Sequence, residues 1–278
     1  MSNSTSGNMK GGDTSTKIKP RPFISRQHPL NDPKDPFTAA KVNKELVDRL
    51  ALKTYPDQGT SSLCGPATLF YCLLIDHPKL YKQAVAELWK DGKTSINQLN
   101  IKPFDARKAE ELFQPDDITL RVSTIDWMTL AGLRDSWNSI LCYDSPLKQV
   151  AGITTPGEIK DWFRLAGYRV KDAYYAPSVK NFIEINNYVK DSKYHVISLV
   201  DSRIISTQNK AFFVYPNHWI VWKDALRTSN KPITDNLTYS DNVSFKLFSW
   251  GDPNMSTHAD LSYVKFSAYI TTTIIIEK

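Results

Sequence analysis

Residues 58–68 read QGTSSLCGPAT, a loop of small polar residues that runs through Leu63 into Cys64 and then into an apolar stretch from Gly65 to about Ile75. The apolar stretch predicts a helix, and Pro66 suits its first turn, which needs no N–H donor there. Cys64 then lies at a helix start, where unpaired backbone N–H groups and the helix dipole favour an anion and pull a thiol toward a reactive thiolate. Gln58, six positions earlier, offers a side-chain amide to a developing oxyanion. The same residues also suit plain packing, since small residues and a cysteine often open a helix. Cys72, further along this helix, reads as a buried small hydrophobe, and Cys142 reads as core.

The segment before this stretch, 37–55, shows one apolar stripe through Val42, Leu46, Leu50 and Leu52 and predicts a helix. After it, helices are expected over 79–89, 103–112 and 125–139. TPGEIKDWFRLAGYRV supplies one more, with Thr155 as cap, Pro156 in the first turn and Gly167 at the end. Past Lys193 the texture changes to β-branched and aromatic runs: YHVISLVDS, FFVYPNHWIVW, NVSFKLFSW and YVKFSAYITTTIIIE. Helices first and strands last predict an α+β fold, an N-terminal helical layer packed on a C-terminal antiparallel sheet.

Composition sets the boundaries. The chain has 278 residues, 41% hydrophobic and 23% charged, enough to bury a core without disulfide staples. Residues 1–40 hold five of the 16 prolines and many Ser, Thr, Gly and Lys, and predict a flexible arm ahead of a single domain at 41–278. The net charge is +6, and half of it falls in that arm, which argues against a nucleic-acid-binding core. Three cysteines with no CxxC pair predict neither a disulfide framework nor a structural zinc, and point to a reducing compartment. No membrane span and no secretory signal peptide are expected, so export would need a route without a cleaved signal.

A thiol nucleophile needs a base. His28 falls in the arm, His77 at the far end of the Cys64 helix and His258 in a polar loop. His195 opens an apolar strand, where a satisfied core histidine is the commoner outcome. His218 opens Asn217-His218-Trp219-Ile220-Val221-Trp222, and a histidine at the start of a sheet strand facing a helix end is what a Cys–His pair requires. His218 is preferred over His195.

QGTSSLCGPA, the later HWIVW and the closing Phe248-Ser249-Trp250-Gly251-Asp252-Pro253 together resemble the papain-like cysteine peptidases over about residues 50–255. The succession is most similar to bacterial double-glycine leader peptidases, whose histidine strand is followed by one ending in Asp-Pro. It also resembles the papain-like effector toxins of contact-dependent (type VI) secretion. The resemblance implies Cys64 as nucleophile, His218 as base, Gln58 in the oxyanion hole, and Asp252 as the group orienting His218. Asp235 and Asp224 compete with Asp252. Papains place Asn ahead of Ser-Trp-Gly, whereas this chain has Phe248 there, and the gap from His218 to Asp252 is long for the clan.

The chemistry so implied needs no metal or organic cofactor. It is that of a cysteine protease, an antibacterial effector made in the bacterial cytoplasm and delivered into a competitor's cytoplasm. There it would cut a protein target, at a Gly-Gly site if the leader-peptidase preference carries over. A cognate immunity protein is the implied partner. The alternatives are a peptidoglycan amidase or endopeptidase, a Cys–His protein glutamine deamidase or transglutaminase-like toxin, and a non-catalytic binding module on the same fold.

Overall fold

HWIVW and the β-branched run ITTTIIIE show no apolar–polar alternation, and the strands they form are covered on both faces. The structure, a computed structural model, describes residues 21–138, 141–206, 215–229 and 231–278. It shows a six-stranded sheet built from β1 (Arg169–Tyr175), β2 (Tyr194–Val200), β3 (His218–Trp222), β4 (Lys246–Ser249), β5 (Asp252–Ser256) and β6 (Ile270–Glu277). The strand order is β5-β4-β3-β2-β6-β1, antiparallel throughout. Successive side chains alternate between the faces. Ile197, Val221, Ile274 and Ile276 enter one core, while Val196, Ile220, Trp222 and Ile275 enter another.

The first core is closed by the N-terminal helices α1 (Ala39–Leu50), α2 (Cys64–Asp76) and α3 (Pro78–Asp91). It also includes α4, which runs Thr124–Asp126, then as a π-helical Trp127–Ala131, then Gly132–Trp137, and α5 (Pro156–Leu165). The second core is closed by α6 (Val179–Lys190) and α7 (Tyr263–Tyr269). The α+β expectation therefore holds, with a sheet sandwiched between two helical layers where one was expected.

α2 is the innermost helix. Every residue from Cys64 to Leu74 is buried, against α3, α4, α5 and β3. α5 begins as its sequence predicts. The Thr155 hydroxyl accepts the Glu158 N–H, the Glu158 carboxylate accepts the Thr155 N–H, and Pro156 occupies the first turn.

Several expectations need correction. Residues 21–40 are not a free arm: Phe23 and Phe37 are fully buried, Ile24–Ser25 pairs with Lys108–Ala109, and Arg21 grips Asp35 through two bonds of 2.8 and 2.6 Å. Average composition hid two aromatics that bury enough to order the segment. Residues 1–20, the rest of the expected arm, lie outside the described residues, as do 212–214 of the expected strand before His218 and the end of the expected 125–139 helix. Segment 103–112 is not a helix, because the Asp135 carboxylate takes the N–H groups of Phe104, Asp105 and Ala106 (2.6, 2.9 and 3.2 Å). YVKFSAY, expected to run into the last strand, is α7. The spacing of its buried aromatics is helical: Tyr263 and Phe266, three apart, point into the second core.

If residues 21–40 belong to the domain, Phe37→Ala should lower the unfolding free energy by about 3–5 kcal/mol in a urea titration. An arm without structural work would leave the midpoint unmoved.

Candidate active site

α2 begins at Cys64 with no side-chain cap, so the N–H groups of its first turn are not consumed by a neighbouring side chain. The N–H groups of Cys64, Gly65 and Trp219 are directed at the thiol and favour its anion. Gly65 permits close closure: a Cβ there would lie 2.4 Å from Thr154 Oγ1. On the sheet side, Cys64 Sγ is 4.0 Å from the carbonyl oxygen of Asn217, the residue that precedes β3. The start of α2 and the start of β3 therefore meet.

Cys64, His218, Gln58 and Trp250 line a single cavity of about 500 Å³. His218 Nε2 and Ser249 Oγ share a hydrogen bond of 2.5 Å. In the tautomer whose Nε2–H donates to Ser249, Nδ1 keeps the lone pair a base requires. Trp250 stacks on the imidazole, with centroids 4.3 Å apart and planes 14° apart. It holds that position from a left-handed backbone, φ 43°, and Gly251 follows at φ 70°. Two consecutive left-handed residues suit the tight hairpin that joins β4 to β5. Trp219 Nε1 donates to the Thr154 carbonyl (2.9 Å), tying the histidine strand to the segment packed on Gly65.

Burial governs the charges. It lowers the His218 pKa to about 3 and raises that of Cys64 to about 11, the latter against the three N–H groups that favour thiolate. Burial thus favours the uncharged form of both groups in this cavity, a neutral thiol and a neutral imidazole.

Gln58 is buried, and its amide donates to the Ser61 carbonyl at 2.9 Å. A side-chain amide has a second N–H, which leaves one donor for an oxyanion in the cavity that it lines.

The structure does not bring Asp252 to His218. The aspartate is exposed, and its carboxylate accepts the Asn254 N–H at 2.8 Å. The reason lies in strand order. β4 pairs directly with β3, through Leu247 with Trp222 and Phe248 with Val221, whereas β5 is one strand further out. The end of β4, not the start of β5, lies beside His218. Asp224 is engaged by Ala225 N–H and Arg227 (2.8 and 3.0 Å), and Asp235 is exposed. Ser249 is the residue that sequence reasoning passed over. Its signal was present, as the last strand residue before Trp-Gly, but a neutral hydroxyl was not sought in an orienting role.

The remaining candidates separate cleanly. His195 bonds Asp76 at 2.6 Å, at the opposite end of α2 from Cys64, in a network with Tyr168 and Lys278. His28 is not in a free arm but buried and bonded to Asp117 at 2.7 Å. Cys72 is fully buried, as expected, but Cys142 is exposed, its thiol donating to Asp144 at 3.2 Å. Trp222 belongs to the second core rather than the site, where it packs on Phe245. Among the described residues, no cluster of three or more His, Cys, Asp or Glu is placed to hold a metal ion.

Ser249→Ala should lower turnover on the order of tenfold, because it frees the imidazole to rotate and leaves a buried nitrogen unpaired. Asp252→Ala should leave turnover unchanged. Steady-state rates for the two variants, measured side by side, check this, and a reversed ranking would return the orienting role to the aspartate.

No protein-family model and no curated protein matches this chain.

Proposed function

We propose that the chain is a cysteine hydrolase of papain-like fold, with Cys64 as nucleophile, His218 as general base and acid, Ser249 as its orienting partner and Gln58 as an oxyanion donor. The observation that carries the reading is the shared cavity: a thiol at the start of a buried helix and an imidazole at the start of the adjoining strand, the imidazole fixed at Nε2. The order of motifs, QG ahead of CGPA and then HWIVW and SWG, adds the family resemblance.

The chemistry follows from the neutral resting pair. As an amide carbonyl approaches, His218 Nδ1 takes the Cys64 proton and the sulfur adds to the carbonyl carbon. The charge that develops on oxygen is met by the Gln58 amide and by backbone N–H groups at the start of α2. His218 returns the proton to the departing amine, leaving a thioester on Cys64. Water, deprotonated by His218, then adds to the thioester and expels the thiol. Burial keeps His218 neutral at rest but also weakens it as a base, so the proton transfer depends on the approaching carbonyl drawing the sulfur forward.

Among the described residues, no Asp, Glu, Lys or Arg lines the cavity. Val150, Ile153, Leu199, Pro216 and Trp219 contribute apolar surface, while Ser61, Thr154 and Asn217 contribute neutral polar groups. Such a wall suits an uncharged stretch of polypeptide. Peptidoglycan stems carry free carboxylates and ammonium groups that would be desolvated here without partners. That contrast favours a protein target over the cell wall. Among the described residues, no helix is long and apolar enough to cross a membrane. The resemblance to delivered effector toxins supports an antibacterial role in a competitor's cytoplasm, with a cognate immunity protein in the producer. A protein glutamine deamidase is the second reading, because the same pair and the same uncharged wall serve a glutamine side chain.

Expression of the wild type in bacterial cytoplasm should arrest growth, and Cys64→Ala and His218→Ala should each abolish the arrest. Mass spectrometry of the arrested cells should show new protein N-termini. Glutamine-to-glutamate conversion without new termini would move the reading to deamidation, and toxicity only on periplasmic export would move it to peptidoglycan.

A further inference from the structure

Asp57 stands where the two halves of the site meet. On one side it opens the loop that carries Gln58. Its backbone N–H donates to Asp126 Oδ2 at 3.2 Å, and Asp126 is itself clamped by Arg49 through two bonds of 2.7 and 2.8 Å. Arg49 and Asp126 are both buried, so this anchor is rigid. The Asp57 carboxylate accepts the Gly59 N–H at 2.8 Å and so closes the loop around Gln58.

On the other side Asp57 meets the hairpin tip. A Cβ on Gly251 would lie 3.0 Å from Asp57 Cβ, 3.2 Å from its Cγ and 3.3 Å from its Oδ2. The backbone of the tip is thus seated closely on this side chain, so that a Cβ at Gly251 would have to push Asp57 aside. Gly251 is joined to Trp250, whose ring covers His218. Trp250 is a bulky residue in a left-handed conformation, and such a conformation persists only where its surroundings over-determine it. Asp57 is part of that surrounding.

We propose that Asp57 is a positioning residue that couples the Gln58 loop to the Trp250–Gly251 tip, so that the oxyanion donor and the imidazole keep one spacing about Cys64. The coupling acts through Gln58 on one side and through Trp250 on the other, and Asp57 itself touches no reacting atom. The inference rests on the Cys64–His218 reading, and it adds a residue that neither the motif pattern nor the cavity wall contains. Asparagine keeps both the acceptor for Gly59 and the bulk under Gly251, whereas alanine removes the acceptor and everything beyond Cβ.

The test uses the full chain with p-nitrophenyl acetate as the acyl probe, and long-range proton–nitrogen NMR of the His218 imidazole. Asp57→Ala should lower kcat about tenfold with little change in KM, and should broaden the His218 ring signals or split them between tautomers. Asp57→Asn should stay within about twofold of wild type in kcat and keep the wild-type ring signals. Gly251→Ala, whose methyl group meets Asp57 and is also strained at φ 70°, should reproduce the alanine phenotype. The excess of its effect in the wild type over its effect in an Asp57→Ala background measures the part that runs through Asp57. Gly251→Ala also serves as the probe if Asp57→Ala fails to fold. A purely structural role would lower the melting temperature and leave the folded protein's kcat and imidazole spectrum intact, and that result would overturn the proposal. If His218→Ala hydrolysed the probe at the wild-type rate, the hydrolase reading would fall instead, and the imidazole spectrum would still decide whether Asp57 holds the ring.

Discussion

α2 has no polar face. From Cys64 to Leu74 every residue is buried, so the helix is stable only when enclosed on all sides. α3, α4 and α5 supply three walls and β3 supplies the fourth. That enclosure fixes the rest of the molecule. The strand laid along it, HWIVW, is buried on both faces, and its second face is covered by the layer of α6 and α7. It also brings the start of the helix to the start of the strand, where Cys64 Sγ lies 4.0 Å from the Asn217 carbonyl oxygen and Cys64 and His218 line one cavity.

The electrostatics follow from the same burial. A thiol and an imidazole taken out of water together are each driven to the uncharged form, and the structure compensates with neutral groups: backbone N–H donors at the thiol and a serine hydroxyl at the imidazole. A carboxylate in the place of Ser249 would pull His218 toward imidazolium and the pair toward thiolate–imidazolium. The hydroxyl orients the ring without adding a charge. On the proposed hydrolase reading, proton transfer waits until a substrate carbonyl is present to receive the sulfur.

Much of this was legible in the chain. QGTSSLCGPAT announced a helix start with a cysteine on it, because an apolar run follows the polar loop and Pro66 suits a first helical turn. HWIVW announced a strand, because it is rich in β-branched and aromatic residues after Asn217, but the cover on its second face was not foreseen. The helix of TPGEIKDWFRL was readable to its capping residue, since capping is local chemistry. Features set by distant partners were not readable. The order of β4 and β5 beside β3 decides between Ser249 and Asp252, and strand order is not a local property. The ordering of residues 21–40 depends on two phenylalanines finding a core far along the chain, and the irregular path of 103–112 depends on one carboxylate at Asp135. YVKFSAY carries β-forming residues, yet its burial pattern is helical once α6 and the sheet are in place.

The central claim is that Cys64 is a nucleophile activated by His218, and the exposed Cys142 provides an internal control for it. Purified protein is treated at neutral pH with p-nitrophenyl acetate, quenched, and mapped by peptide mass spectrometry. The account predicts acetylation of buried Cys64 ahead of exposed Cys142, transient in the wild type and strongly slowed in His218→Ala. Acetylation of Cys142 with Cys64 unmodified, or equal labelling of Cys64 with and without His218, would contradict it.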